Sequence, residues 1–259
     1  MSLYEQLALA ERYRELASPD RWDFTRYERR VISQNGEDGV IAALLEMIGC
    51  TNREFVEFGA ADGRENTCGF LALALGWSGL FIEADDHAHA RLADLYRDRP
   101  DVRVMQALVT PSVMEHLFEQ GQVPASPDVL SIDVDGNDAY LLQALERTPR
   151  ILIVEYNASL PRDPDVQLTQ PYSDAGWDGT AFFGASLGAL EAIAARKGYR
   201  LVHTEFAGVN AFFLRDDVAE QLPAGLTVPR RPANYGLAGG AHPADPQGRT
   251  FLKLGDQFS

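Results

Sequence analysis

Oxygen-bearing side chains cluster at the ends of two apolar segments of the sequence. Asp133 and Asp135 close one such segment, and Glu155 and Asn157 stand at the end of the next. Because the carboxyl ends of neighbouring parallel strands meet at one edge of a sheet, we expect these side chains to lie close together. Clusters made only of oxygen ligands suit Mg²⁺, Mn²⁺ or Ca²⁺. The sequence therefore predicts a divalent-metal site formed by these four residues.

Two other interpretations of these acids stay open. Asp135 and Asp138 are placed to cap the N-terminus of a following helix, where carboxylates are stabilising, and either could instead hydrogen-bond a substrate. A calcium loop of the EF-hand type does not fit, because its glycine is misplaced and no glutamate occupies the twelfth position. The candidate catalytic residues are Asp133, Asp135 and His203; His203, at a predicted strand end, is either a general base or a structural histidine.

A glycine-rich turn follows the apolar segment that ends at Phe58. Gly59 and Gly63 can adopt backbone angles that other residues avoid, and they let a ligand approach the main chain. In an open α/β sheet, such a turn forms part of a nucleotide-like site, although an ordinary βα turn has the same pattern. Glu83 ends the next predicted strand, about twenty residues on, where an acid commonly binds ribose hydroxyls. A solvated acidic strand end is the alternative for Glu83.

The motifs between residues 33 and 160 resemble, in order and spacing, the FkbM-type methyltransferases of the class I S-adenosylmethionine-dependent group. The resemblance rests on Ser33-Gln34, Gly36-Glu37-Asp38, Phe55–Gly63, Asn66-Thr67, Gly76–Gly79 with Glu83, and Ile132–Gly136. It implies a seven-stranded sheet whose last strand is antiparallel, with the methyl donor over the carboxyl ends of the first strands. The chain departs from the family at Asp135-Gly-Asn-Asp138, where members usually have a single acid after Ile-Asp-Val.

The same resemblance implies a set of donor-binding residues. They are Ser33, Glu57, Gly59, Ala60, Gly63, Asn66, Glu83, Ala84, Gln106, Ala107 and Asp133. The predicted metal ligands are also similar in placement to those of catechol O-methyltransferase, in which acids on the same two strands hold a metal that binds the acceptor hydroxyl. The implied cofactors are S-adenosylmethionine and, where a metal is used, Mg²⁺ or Mn²⁺.

Alternating patterns of strand and helix must position these residues. Predicted strands cover 55–58, 80–83, 102–109, 128–133, 150–156, 199–204 and 208–214, with helices between them. This alternation predicts an α/β fold with a doubly wound, mostly parallel seven-stranded sheet, a Rossmann-like methyltransferase fold. We expect an N-terminal helical extension over 1–50 that includes a helix at 2–18, a core over 51–221, and a tail over 222–259. The aperiodic segment 157–180 is long enough to be a lid.

Composition narrows the function classes. The net charge of −15 argues against a general nucleic-acid partner or an anionic membrane surface, which attract clustered Lys and Arg. Two cysteines and no recognisable signal pattern predict a reducing, cytoplasmic location. No window is apolar enough to span a membrane. The expected partner is a small-molecule acceptor, and a homo-oligomer stays open.

The sequence thus predicts an S-adenosylmethionine-dependent O-methyltransferase acting on a hydroxyl of a small polar acceptor, such as a sugar or secondary metabolite, with metal assistance as an open question. A catalytically silent S-adenosyl-binding module and a nicotinamide-dependent oxidoreductase are the alternatives. The spacing of Gly59 and Gly63 departs from Gly-x-Gly-x-x-Gly, which counts against the oxidoreductase.

Overall fold

The computed structural model describes residues 23–236 and 240–257. The helix predicted at 2–18 lies outside the described residues. The strands are β1 (Glu54–Phe58), β2 (Ser78–Glu83), β3 (Val102–Gln106), β4 (Val129–Ile132), β5 (Ile151–Glu155), β6 (Leu168–Thr169), β7 (Tyr199–Thr204), β8 (Asn210–Arg215) and β9 (Leu252–Lys253). The α-helices are α1 (Glu37–Ile48), α2 (Gly69–Leu73), α3 (Asp86–Tyr96), α4 (Met114–Gln120), α5 (Asp138–Ala144), α6 (Leu187–Arg196), α7 (Asp216–Ala219) and α8 (Leu254–Gln257), and a 3₁₀ helix spans Phe24–Tyr27.

Seven of the strands form one sheet in the order β3-β2-β1-β4-β5-β8-β7. The pairs from β3 to β5 are parallel, whereas β8 is antiparallel to both β5 and β7. The predicted Rossmann-like fold, with a mostly parallel seven-stranded sheet, is therefore confirmed. The chain reverses its direction of travel across the sheet between β1 and β4, and in open α/β sheets that reversal is where ligands bind.

Both faces of the sheet are covered by helices, which explains why the strands are apolar without alternation. In β1, Val56 and Phe58 pack with the helix α4 side chains, whereas Phe55 packs on the opposite face with the side chains of α1. Side chains of successive strand residues point to opposite faces, so burial on both sides demands an uninterrupted apolar run. The continuous apolar pattern that predicted these strands is thus a direct consequence of the helices that cover both faces of the sheet.

The turn after β1 is fixed by contacts within the chain. Gly59 has φ 72°, and a Cβ atom there would lie well inside van der Waals contact with the backbone carbonyl oxygen of Asp133. At Gly63, with φ 79°, a Cβ atom would lie 2.7 Å from Cδ1 of Leu92 in α3. The absence of a side chain at Gly59 and Gly63 therefore allows the close packing of the main chain and of α3 at this turn.

The lid and the tail contain structure that the sequence pattern does not predict. Leu168–Thr169 in the lid pairs antiparallel with Leu252–Lys253 in the tail, and the two strands form a separate sheet. Two-residue strands are too short to show a period of two, so no pattern signals them. β3 also ends at Gln106, three residues before the predicted end. None of the helices among the described residues has the length and apolarity that a membrane crossing requires.

We predict that Gly59→Ala destabilises the protein more than Gly76→Ala. Both glycines have φ near 70°, so both substitutions incur the left-handed strain of about 1 kcal/mol. Only Gly59→Ala adds a clash with a backbone atom, because a Cβ atom at Gly76 meets nothing within 4 Å. Overpacking of this kind costs a further ~1–3 kcal/mol. Urea denaturation of the two variants measures the difference, and equal losses of unfolding free energy would contradict the close approach of the two loops.

Candidate functional site

A cavity of about 990 Å³ lies at the carboxyl edge of the sheet, where β1, β2, β4 and β5 end. Ten of the residues predicted from sequence line it. They are Glu57, Gly59, Ala60, Asn66, Glu83, Ala84, Ala107, Asp133, Asp135 and Glu155. The predicted donor-binding residues and the predicted acids therefore share one cavity, as the topology of a parallel sheet requires.

Glu57 closes the floor of the cavity beneath the turn. Its carboxylate is buried and accepts hydrogen bonds from the backbone N–H groups of Thr67 (2.8 Å) and Cys68 (2.7 Å). Burial raises the pKa of Glu57 to about 7, against the lowering effect of these hydrogen bonds. Glu57 thus holds the segment that leads into α2, and it shapes the cavity through that segment.

Glu83 connects the turn after β1 to the end of β2. Its carboxylate accepts hydrogen bonds from the backbone N–H groups of Ala61 and Asp85, each at 2.8 Å. Asp85 in turn accepts from His87 and Ala88 and caps the N-terminus of α3. A carboxylate has about four acceptor sites, so Glu83 keeps capacity to bind ligand hydroxyls while it fixes the loop.

Asp133, Asp135 and Glu155 form a compact acidic cluster in the wall of the cavity. Potential ligand atoms of the three carboxylates all lie within 4.8 Å of one another. Burial and the neighbouring negative charges raise the pKa of Asp133 and of Glu155 well above their ordinary values. None of the ion pairs found between described residues includes any of the three.

Asp138 has a different role from the three clustered acids. Its carboxylate accepts hydrogen bonds from the backbone N–H groups of Val134 (2.9 Å) and Gly136 (3.0 Å) at the start of α5. Burial raises its pKa to about 7 despite those bonds. Asp138 is the first residue of α5, and its carboxylate holds the loop that precedes the helix, whereas the N-cap residue Asn137 makes no side-chain capping hydrogen bond. Asp135 lines the cavity.

Five predicted site residues do not line the cavity: Ser33, Gly63, Gln106, Asn157 and His203. Ser33 lies beside the start of α1, where its hydroxyl accepts a hydrogen bond from the backbone N–H of Asp38 at 3.2 Å. The Gln106 side chain donates to Asp86, on α3. Gly63 packs against α3, as described above. Each of these three residues supports a loop around the cavity.

His203 lies in the core, away from the cavity. Its ring is fully buried, and Nε2 is 2.9 Å from Oε1 of Glu28, with Phe24 and Phe212 close by. Burial lowers the pKa of His203 to about 3. The suggestion that His203 acts as a general base is corrected, because β7 is the edge strand two places from β5 and its end does not reach the acids.

Asn157 fastens the lid and does not belong to the acidic cluster. Its side-chain nitrogen donates to the carbonyl oxygens of Ala181 and Phe183, both at 2.9 Å, and its side-chain oxygen accepts from the N–H of Ser159. The amide group is fully committed to backbone partners. We therefore remove Asn157 from the predicted metal ligands.

The lid and the tail, which lie outside the main sheet, supply one wall of the cavity. Trp177, Tyr235 and His242 line the cavity. The His242 ring stacks on Tyr235 with centroids 4.4 Å apart and meets Trp177 edge-on at 4.4 Å. Burial lowers the pKa of His242. Nothing in the aperiodic tail signals Tyr235 or His242 as part of the cavity.

Arg249 holds the tail against the lid. Its guanidinium donates to Asp178 (2.5 Å) and to Thr180 (3.1 Å) in the lid and to Asp245 in the tail, and it lies 4.4 Å from the Phe182 ring centroid. We call these contacts the Arg249 clamp. Because Asp178 and Thr180 directly follow Trp177, the clamp fixes the aromatic wall of the cavity.

Comparisons with known proteins give fold likenesses only. No family model matches the chain, and no curated protein matches it in sequence. Among solved structures, the N-terminal domain of EvdMO1 with SAH and D-fucose is 15% identical, with 80% of this chain and 94% of that one covered, at a TM-score of 0.43. Fibrillarin from Aeropyrum pernix with bound S-adenosyl-L-methionine is 12% identical over 67% and 74%, at 0.44.

A putative sarcosine dimethylglycine methyltransferase from Galdieria sulphuraria is 15% identical over 64% of this chain and 62% of that one, at a TM-score of 0.42. These structural neighbours are S-adenosylmethionine-dependent methyltransferases or hold S-adenosyl compounds. With identities this low and TM-scores below 0.5, they carry no conclusion about activity.

We predict that Arg249→Ala loosens the lid without unfolding the protein. Loss of the guanidinium removes the hydrogen bonds that join Asp178 and Thr180 to the tail, so amide hydrogen exchange should accelerate in 177–183 and in 242–251. Arg200→Ala, which removes an ion pair with Asp216 at the far edge of the sheet, is the matched control. Unchanged exchange in the lid of Arg249→Ala would show that the clamp does not hold it.

Proposed function

We propose that this protein is an S-adenosylmethionine-dependent methyltransferase that methylates an oxygen of a small polar acceptor. The observation that carries the proposal is the position of the cavity at the strand-order reversal of the seven-stranded sheet. Glu83, the last residue of β2, lies at one end of the cavity. The clustered carboxylates of Asp133 and Asp135, after β4, and of Glu155, at the end of β5, lie at the other. The two ends match the two needs of methyl transfer, which are a bound donor and an activated hydroxyl.

The charge of the cavity supports a cationic donor over a dinucleotide. Nine carboxylates line the cavity: Glu37, Glu57, Asp62, Glu65, Glu83, Asp85, Asp133, Asp135 and Glu155. Among the described lining residues, Arg64 is the single Lys or Arg. Such a field attracts the sulfonium and ammonium groups of S-adenosylmethionine and repels a pyrophosphate. The backbone N–H groups of Thr67 and Cys68 near the N-terminus of α2 are also occupied by Glu57, so they cannot bind phosphate as a dinucleotide fold does.

The donor end of the cavity is formed by the first three strands. Glu83 is the proposed acceptor of the ribose hydroxyls, and Ala84 and Ala107 flank the adenine. Glu57 and Asn66 lie beside the methionine part. This placement directs the sulfonium methyl group along the cavity toward Asp133 and Asp135. The protein then contributes positioning, exclusion of water by the lid, and removal of one proton.

The acceptor end offers two ways to remove that proton. Asp133, Asp135 and Glu155 present only oxygen ligands, which fits Mg²⁺ or Mn²⁺, and a divalent cation held there lowers the pKa of a hydroxyl. Like charges this close also need compensation, which a cation supplies. Asp135 is the general base if no metal is used. Trp177, Tyr235 and His242 form the wall against which the acceptor packs.

We expect purified protein to bind S-adenosylhomocysteine with micromolar or better affinity, on the order of −8 kcal/mol. Glu83→Ala should weaken this affinity about 10- to 100-fold, because a hydrogen bond to a charged group contributes ~1.5–3 kcal/mol. Glu119→Ala, an exposed acid on α4, is the control and should leave it unchanged. Isothermal titration calorimetry measures all three. Binding of NADH together with no binding of S-adenosyl compounds would refute the methyltransferase proposal.

We also expect methyl transfer to depend on a divalent cation. Transfer from labelled S-adenosylmethionine to a small-molecule cell extract should stop in excess EDTA and return with Mg²⁺ or Mn²⁺. Asp133→Asn should lower the metal affinity and leave S-adenosylhomocysteine affinity nearly intact, since the donor rests mainly on the ends of the first three strands. Full turnover in excess EDTA would remove the metal from the proposal and assign proton removal to Asp135, with the methyltransferase proposal retained.

A further inference from the structure

Asn210 stands next to the acidic cluster on the neighbouring strand. It is the antiparallel partner of Glu155 in the pairing of β5 with β8, and both side chains line the cavity. Asp133 directly follows Ile132, which pairs with Val154, so Asp133 occupies the same level on the other side of Glu155. Directly paired residues on one face of a sheet have Cβ atoms about 4.5–5.5 Å apart. The three residues therefore form a row across three adjacent strands.

The orientation of the Asn210 amide is fixed from the far side. Its Nδ2 donates to Oε1 of Glu37 at 3.0 Å, and Oε2 of Glu37 accepts from the backbone N–H of Asn35 at 2.8 Å. A carboxylate accepts hydrogen bonds and does not donate them, so the NH₂ group of Asn210 must face Glu37. The side-chain oxygen of Asn210 consequently points away from Glu37.

That oxygen is buried without a partner. Asn210 is 2% exposed, and its Oδ1 has no hydrogen bond within the described part of the chain. Oε2 of Glu155 is in the same state. A buried acceptor without a partner is destabilising, so native structures supply a partner from protein, solvent or a ligand. Two such oxygens on paired residues of one cavity wall indicate a shared ligand.

We propose that Asn210 supplies the neutral oxygen of a divalent-cation site whose charged ligands are Asp133, Asp135 and Glu155. The inference rests on the metal part of the proposed function and assigns to Asn210 the ligand role that was predicted for Asn157. Hard cations such as Mg²⁺ and Mn²⁺ accept amide oxygens alongside carboxylates. A neutral fourth ligand adds coordination without adding charge to three acids that already repel one another.

Asn66 provides a matched control for this role. It also lines the cavity, is 6% exposed, and carries a side-chain oxygen without a partner among the described residues. Its amide lies on the donor side, with Nδ2 at 3.5 Å from Oε2 of Glu57. The two asparagines thus share type, burial and unpaired oxygen, and they differ in which end of the cavity they face.

The test is Mn²⁺ binding to the whole 259-residue chain, monitored through the electron paramagnetic resonance signal of the free ion. Asn210→Ala should weaken Mn²⁺ binding at least about tenfold, by comparison with the 10- to 100-fold losses seen for residues that support metal ligands. Asn66→Ala should change it less than twofold. Thermal unfolding by circular dichroism establishes that each variant is folded. Asn210→Ser, a shorter polar side chain without the amide oxygen, replaces Asn210→Ala if the alanine variant unfolds.

Two results would overturn the inference. Equal Mn²⁺ affinity of the wild-type protein and the folded Asn210 variant would exclude Asn210 as a ligand. An absence of Mn²⁺ binding by the wild-type protein would remove the site altogether. Binding of S-adenosylhomocysteine by the same wild-type sample separates these outcomes from failure of the methyltransferase proposal, because donor binding is measured without metal.

Discussion

A buried carboxylate is stabilised by hydrogen bonds or by a cation. In this acidic chain, backbone N–H groups of the described residues donate at least two hydrogen bonds to each of five buried carboxylates. The five carboxylates, each followed by the residues that donate their backbone N–H groups to it, are Asp38 (Val31, Ile32, Ser33), Glu57 (Thr67, Cys68), Asp128 (Thr51, Asn52, Arg53), Asp138 (Val134, Gly136) and Glu205 (Ala207, Val209, Asn210). Each of them fixes one loop. Backbone amides are neutral donors in set directions, so four of these acids are buried without an ion pair to Lys or Arg among the described residues, and Asp128 alone also pairs with Arg150 at 3.0 Å. The loops held by Asp38, Glu57, Asp138 and Glu205 lie near the cavity, whereas the loop held by Asp128 precedes β1 at the opposite edge of the sheet.

The acids that lack this support are the ones that mark the site. Potential ligand atoms of Asp133, Asp135 and Glu155 lie within 4.8 Å of one another, and burial together with the neighbouring carboxylates raises the pKa of Asp133 and of Glu155. A cluster of acids in a cleft whose pKa values are shifted by burial and by one another is a candidate functional site. Asp138, three residues after Asp135, differs from these acids because two backbone N–H groups bind its carboxylate, and this contact separates a structural acid from a candidate catalytic one within the same segment.

The sequence predicts the sheet and the acidic cluster for the same physical reason. Strands buried on both faces must be continuously apolar, and the parallel topology brings their carboxyl ends together, so Asp133 and Glu155 could be joined without coordinates. Side-chain direction and contacts distant in sequence are not encoded in this way. Asn157, which was expected to bind a metal, holds the lid instead. The unpaired amide oxygen is that of Asn210, more than fifty residues later in the chain. His203 shares a strand end with the site but lies on β7, under the 3₁₀ helix and Glu28.

The two ends of the cavity differ in what builds them, and this difference has a consequence for specificity. The donor end rests on strand ends and tight turns such as the Gly59 turn, whose contacts are within the core. The acceptor wall of Trp177, Tyr235 and His242 comes from segments without regular structure, joined by the Arg249 clamp. Loops positioned by a rigid scaffold tolerate sequence change better than the scaffold does. Under the proposed function, acceptor choice is therefore assigned to the lid and the tail together, because both segments contribute side chains to this wall.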